Sequence, residues 1–363
     1  MIVRLEDVCF AESSSLKQSD LIKVKDGYPV YGASGFIANI DKYQQEKPYV
    51  SIVKDGAGVG RVQLCPGQSS VIGTMQYIIP KENVLPEYLY YVTTYMHLEK
   101  YYTGATIPHI YFKNYKKEKF NLDPIEKQKN IVKILDGYRK IIELRQEQLQ
   151  KYDDLIKSRF VEMFGDYPSN PMGWKIVTIR DVITEARYGS SRPAVEGGKY
   201  PYLRMNNITY SGELDLSDTK RIDIPDNELE KCTVRRGDVL FNRTNSKELV
   251  GKTCVYDRDE MMVLAGFVIR VRVKDCILPE FLSAFLNTDS SKQMLLGMCK
   301  TAIGQANINA QELQNIELYL PPIELQQEFL KFKKQIAKSK VAIQAALDKT
   351  QLLFDSLMQE YFG

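Results

Sequence analysis

"LDPIEKQKNI" at 122–131 and "LPPIELQQEF" at 320–329 are near copies within one chain. The first ends 34 residues before Gly165 (165 − 131) and the second 34 before Gly363 (363 − 329), a constant offset of 198 (329 − 131) with no gap. "SRFVEMFG" (158–165) and "SLMQEYFG" (356–363) close the two copies and align Ser158 with Ser356, Glu162 with Glu360, Phe164 with Phe362 and Gly165 with Gly363. A long internal repeat therefore governs the fold and is read before composition.

Within the repeat, Ile131, Leu135, Tyr138, Ile142, Leu149, Tyr152, Ile156 and Met163 follow a 4,3 apolar spacing, interrupted by Arg145. The matching seam is Phe329, Ile336, Ile343, Leu347, Thr350, Phe354 and Tyr361, interrupted by Lys333 and Lys340. Each copy thus ends in a long coiled-coil-type helix that pairs with its twin. The rest of each copy reads as strands, in "YVSIV" (49–53), "GDVLFN" (237–242), "KTCVY" (252–256) and "FVIRVRV" (267–273). Two further echoes, "LPEYLYY" (85–91) with "LPEFLSA" (278–284) and "LEDV" (5–8) with "IRDV" (179–182), sit at offsets of 193 and 174. Length is fixed in the helices and free in the globular heads.

The expected fold class is α+β: two β-rich heads separated by two long antiparallel helices in a pseudo-twofold repeat. The expected boundaries are a first head at 1–121, a first helix at 122–166, a second head at 167–319 and a second helix at 320–363. "GDYPSNPMGW" (165–174) is the linker. It is so short that the second helix must double back to bury its stripe. Two homologous halves joined in this way form an isologous dimer within one chain. A helix of about 37 residues spans roughly 55 Å, on the order of 15 base-pair rises.

Bulk properties exclude several classes. A formal charge of +3 is only mildly basic, so nucleic-acid binding must come from local patches. Six cysteines (Cys9, Cys65, Cys232, Cys254, Cys276, Cys299) without CxxC spacing imply reduced thiols and a cytoplasmic location. No signal-peptide core or membrane-length apolar run is present. "YVSIVKDGAGVGR" (49–61) resembles a dinucleotide fingerprint, but Arg61 stands where the third glycine belongs and strand character follows, so a hairpin loop is expected. "GKT" (251–253) lacks the first glycine of a phosphate loop, and Leu320 before Pro321-Pro322 lacks the polar group of an amino-methyltransferase motif. The two histidines, His97 and His109, offer no zinc spacing, and a Cys65/His109 dyad is left as two scattered, ordinarily structural residues. No catalytic residue, cofactor or metal is expected.

Binding residues are sought in the polar loops. In head two these are Ser190, Ser191, Arg192, Arg204, Asn206, Asn207, Arg243, Asn245, Ser246 and Lys252. Arg and Asn suit bidentate contacts to guanine and adenine, and Lys and Ser suit phosphate. The bland alternative is that these are capping and turn residues, since Asn and Ser favour turns on any protein. Tyr31, Ser34, Lys54, Asp55 and Arg61 are the corresponding set in head one. "TGATIPHI" (103–110) and "TAIGQANI" (301–308) share the 198 offset and add Thr106, His109, Gln305 and Asn307. Different loops on duplicated heads suggest two readers of two different short sequences.

On "LDPIEKQKNIVKIL", "LPPIELQQEFLKF", "GDVLFNRTNSKELVGK", "YLRMNNITYSGELDLS" and "YPVYGASGFI", the chain resembles the DNA-specificity subunit of a type I restriction-modification system along essentially its whole length. The resemblance implies heads that each read one half of a split site in double-stranded DNA, and helices that set the gap. It implies docking of two modification subunits that methylate adenine N6, with a motor-nuclease restriction subunit besides. The first head starts at "VRLEDV", with little before it, which departs from the family pattern and predicts a weaker ring closure. The competing reading is an autonomous pseudo-dimeric DNA-binding scaffold or repressor.

Overall fold

A computed structural model describes residues 1–104, 108–302 and 305–363. The chain forms two compact units, Met1–Gln146 with Gln344–Gly363, and Glu147–Ile343. The division cuts both long helices, Ile125–Phe164 and Ile323–Phe362, each 40 residues. Each unit is therefore one head plus the first part of one helix and the last part of the other.

Two joints made by the repeated phrases explain this. In the first unit Gln128 is fully buried; its Oε1 accepts from the Leu85 amide at 2.9 Å, and its Nε2 donates to Asn83 O at 3.0 Å and Asp123 O at 2.7 Å. In the second, the equally buried Gln326 accepts from Leu278 N–H at 2.8 Å and donates to Pro321 O at 2.9 Å and Cys276 O at 3.3 Å. The Pro-Ile-Glu-x-Gln phrase thus ties the start of each long helix to the "LPE" turn of the head before it. A buried amide with all its polar atoms satisfied fixes such a junction in one geometry.

The closing phrases make the reciprocal joint. Phe362 packs edge-on to Tyr88 of the first unit, with ring centres 5.3 Å apart, and Phe164 packs on Phe281 of the second at 5.0 Å. Tyr88 and Phe281 are the matching aromatics of the two "LPE" helices, Pro86–Tyr95 and Pro279–Leu286. Gly165, at φ +87°, stops the first long helix in the left-handed region that glycine adopts without penalty.

Two polar interruptions of the seam, Arg145 and Lys340, are interlocks. Within the first unit the Arg145 guanidinium donates to Ala346 O and to the Thr350 hydroxyl. Within the second, Lys340 lies 2.7 Å from Asp153 of the first helix and 2.6 Å from Glu213 of the head. Phe160 lies 5.4 Å from Phe329, so partner numbers rise along one helix as they fall along the other. The helices run antiparallel in each unit. Phe160 and Phe164, absent from the expected seam, are buried, because the head covers that side of the helix as well.

The heads share a plan. In the first, Cys9–Ser13, Met75–Pro80, Tyr49–Val53 and Val62–Cys65 form an antiparallel sheet in that order. A second sheet places Gly35–Ile40, Tyr28–Gly32 and Ser70–Val71 side by side. Head two repeats the first sheet as Ile183–Tyr188, Val268–Val273, Val239–Asn242 and Thr253–Val255. "YVSIV" is buried at every position because Val50 and Ile52 face one core while Tyr49 and Val53 face another. "LEDV" and "IRDV" each form one helical turn, capped where Asp7 and Asp181 accept from the amides of Arg4 and Thr178 at 2.8 Å.

Candidate nucleic-acid interface

In both heads the loop after the third strand across the four-stranded sheet meets the segment that returns before the long helix. In head one the glycine-rich loop 54–61 joins Tyr49–Val53 to Val62–Cys65 as a hairpin. Asp55 pairs backbone to backbone with His109, Gly56 N–H donates to Pro108 O at 2.9 Å, and Ile110 N–H donates to Lys54 O at 2.9 Å. In head two Thr244 pairs with Asn307 and Asn245 with Ala306, while Ile308 N–H donates to Arg243 O at 2.9 Å. His109 and Asn307 are 198 apart, so the register read from sequence places equivalent residues on equivalent loops.

Head one gathers its candidates at this junction. Arg61 is exposed and its Nη1 donates to Ala33 O at 2.9 Å, which draws the loop against the 32–35 hairpin tip. Ser34 is exposed on that tip; Tyr31, Lys54, Asp55 and His109 are half-buried. Burial raises the Tyr31 phenol above its ordinary pKa. Gly60 is a close approach, since a Cβ there would stand 2.4 Å from the Glu99 amide. Cys65 is buried against Ser51 at 3.3 Å, and burial lifts its thiol pKa, which leaves it an inert core residue. Thr106 lies outside the described residues.

Head two divides its candidates between surface and interior. Ser191, Arg192 and Asn206 are exposed, and Arg204, Arg243, Asn245, Ser246 and Asn307 are half-buried. Ser190, Asn207 and Lys252 are inside. The Ser190 hydroxyl accepts from Arg192 N–H at 3.2 Å. Asn207 accepts from Arg204 N–H at 2.8 Å and donates to Asp215 O and Asp218 O at 2.8 and 3.1 Å. Lys252, 7% exposed, donates to Met205 O at 3.2 Å and Ile208 O at 2.5 Å; burial lowers its pKa. These three brace the 190–208 loops instead of facing outward. Gln305 lies in the strand Gln305–Asn307.

Charge on this face is largely paired. Arg192 lies 2.7 Å from Glu228 and Arg204 2.8 Å from Asp218. Arg243 packs over the Tyr188 ring at 4.9 Å and reaches Gly266 O at 3.4 Å. Sequence reading missed two aromatics: Phe36, 60% exposed, beside the head-one hairpin tip, and Phe267, 53% exposed, beside Arg243. Each follows a glycine: Phe36 stands second in the strand Gly35–Ile40 and Phe267 in a turn. Among the described residues no group of three or more potential metal ligands occurs, and no helix is long and apolar enough to cross a membrane.

A family model described as "Type I restriction modification DNA specificity domain" matches residues 1–151 and 171–350. The EcoKI specificity subunit of Escherichia coli (strain K12) is 23% identical over 249 residues, 64% of this chain and 53% of that protein. The putative MjaX specificity subunit of Methanocaldococcus jannaschii is 28% identical over 172 residues, 46% of this chain and 39% of that one. The matches thus span about half the length of those relatives or less. In fold, the chain is similar to the S subunit of a type I restriction-modification system from M. genitalium, at a TM-score of 0.56 and 14% identity, covering 100% of this chain and 96% of that one. A chain from a structure on complex assembly of the type I system gives 0.54 at 19% identity, covering 99% and 97%.

Proposed function

Since the chain belongs to the type I restriction-modification DNA specificity family, we propose that it is the non-catalytic recognition subunit of such a complex, working in the cytoplasm. Each head reads one half of a bipartite site in double-stranded DNA, and the paired helices set the gap between the halves. The observation that carries this reading is the duplicated junction with divergent side chains. The same loop meets the same return segment in both heads, yet one presents Arg61, Ser34 and His109 and the other Arg243, Asn206 and Asn307. A duplicated scaffold with different polar tips fits two readers of different sequence, because base edges are distinguished by donor and acceptor pattern.

Two adenine-N6 methyltransferase subunits dock on the helices, and restriction subunits join them. Exposed apolar side chains support this: Ile134, Ile141 and Leu144 on the first helix, and Leu155 and Leu353, 198 apart and each 44% exposed. Exposed leucines at matching repeat positions offer like surfaces to like partners. The test is to map adenine methylation in cells carrying Arg61→Ala or Arg243→Ala. Each variant relaxes one half of the motif and leaves the other intact; equal loss in both halves rejects independent readers.

A further inference from the structure

Head two opens into a notch of about 500 Å³ between the 190–194 loop, the 204–206 turn and the turn Ala265–Phe267. Its walls are mainly apolar, with Phe267, Met205, Pro193 and Ala194 among them. Phe267 follows Gly266, whose amide is tied to Ser190 O at 2.7 Å, so the ring stands on a braced turn. An exposed aromatic face held in this way is a stacking platform.

Charge identifies the guest. Three arginines line the notch, and two are neutralised by Glu228 and Asp218. Arg243 pairs with no carboxylate among the described residues, and its Nε, like that of Arg204, is buried without a partner. Among the described residues its guanidinium makes one hydrogen bond, Nη1 to Gly266 O, which is long at 3.4 Å, and it packs over the Tyr188 ring at 4.9 Å. A guanidinium without a carboxylate partner beside an apolar wall suits a planar guest with an apolar face and an acceptor on its edge. A nucleobase meets both requirements.

We propose that this notch receives one nucleobase turned out of the half-site that head two reads, stacked on Phe267 with an edge acceptor on Arg243. The proposal rests on the DNA-recognition reading above. In a duplex both faces of a base are covered, so Phe267 gains a stacking partner only from a base that has left the stack. The notch is of the size that holds small ring ligands.

The test uses this chain in complex with its modification subunits, on duplexes carrying the methylated motif. A fluorescent base analogue is stepped through each position of the half-site read by head two. The expected result is several-fold brightening at one position other than the methylated adenine, lost in Phe267→Ala, retained in Phe267→Tyr and weakened in Arg243→Lys. The last two variants keep the comparison open should Phe267→Ala fail to fold. Brightening confined to the methylated adenine, or unchanged by Phe267→Ala, overturns the proposal. Failure of the wild-type complex to bind the duplex at all overturns the DNA-recognition reading with it.

Discussion

Replacing Gln326 with Leu isolates what the repeated phrase does. Leu keeps the volume of the buried side chain but removes an acceptor from the Leu278 amide at 2.8 Å and donors from Pro321 O and Cys276 O at 2.9 and 3.3 Å. At about 1 kcal/mol net for each bond, the loss is about 3 kcal/mol, more if the Leu278 N–H stays buried and unpaired. Because about 1.4 kcal/mol is tenfold in an equilibrium constant, local opening should rise by roughly a hundredfold. Hydrogen exchange of the Leu278 amide and of the helix Pro279–Leu286 reads this directly. The Gln128→Leu variant should do the same at Leu85 and in Pro86–Tyr95, leaving the second unit unchanged. Exchange at Leu278 within threefold of wild type, or equal acceleration in both units, would refute the claim that this glutamine locks helix to head.

Glu185→Gln should destabilise the second unit by about 3 kcal/mol, because it leaves the guanidinium of Arg270, 1% exposed and 2.7 Å from Glu185, buried without its countercharge; the urea midpoint checks it. Lys292 is pulled down to about 7 by burial and then by Lys157 and Lys252, so between that pH and the ordinary lysine range the unfolded chain binds the extra proton and stability rises with pH. Lys292→Met should therefore be more stable than wild type near pH 7, with an advantage that shrinks by pH 9.5; an advantage constant across that range would contradict the assignment. Four residues inserted into each long helix, after Gln146 and after Ile343, add about 6 Å of helix. That should lengthen the gap of the methylated motif by about two base pairs of 3.4 Å rise, as read by methylation mapping.

Much of the architecture was legible in the sequence because a gapless repeat and a 4,3 apolar spacing both survive at the level of single residues. The strands "YVSIV" and "FVIRVRV" were legible from β-branched runs for the same reason. The division of the units across the helices was not, since it depends on Phe164 and Phe362 packing on aromatics more than 100 residues away. The glutamine of each phrase was visible as a repeat, but its task needs the three-dimensional partner turn. Within the candidate interface, residue type could not separate Asn206, on the surface, from Asn207, which is 2% exposed and holds the loop from within. Adjacent asparagines carry the same donors and acceptors, and only the backbone decides which way each one faces. Phe267 was hidden for the opposite reason: in a β-rich run a phenylalanine reads as core, and the turn that expels it is set by the contacts of Gly266.

Bipartite DNA recognition is tested most directly by long-read mapping of N6-methyladenine in the source organism, with and without this gene. One two-part motif with a fixed undefined gap is expected to lose methylation in the deletion strain and to regain it on complementation. An unchanged methylation pattern in a strain whose wild type expresses the chain would contradict it, and would favour a DNA-binding scaffold that acts without a methylating partner.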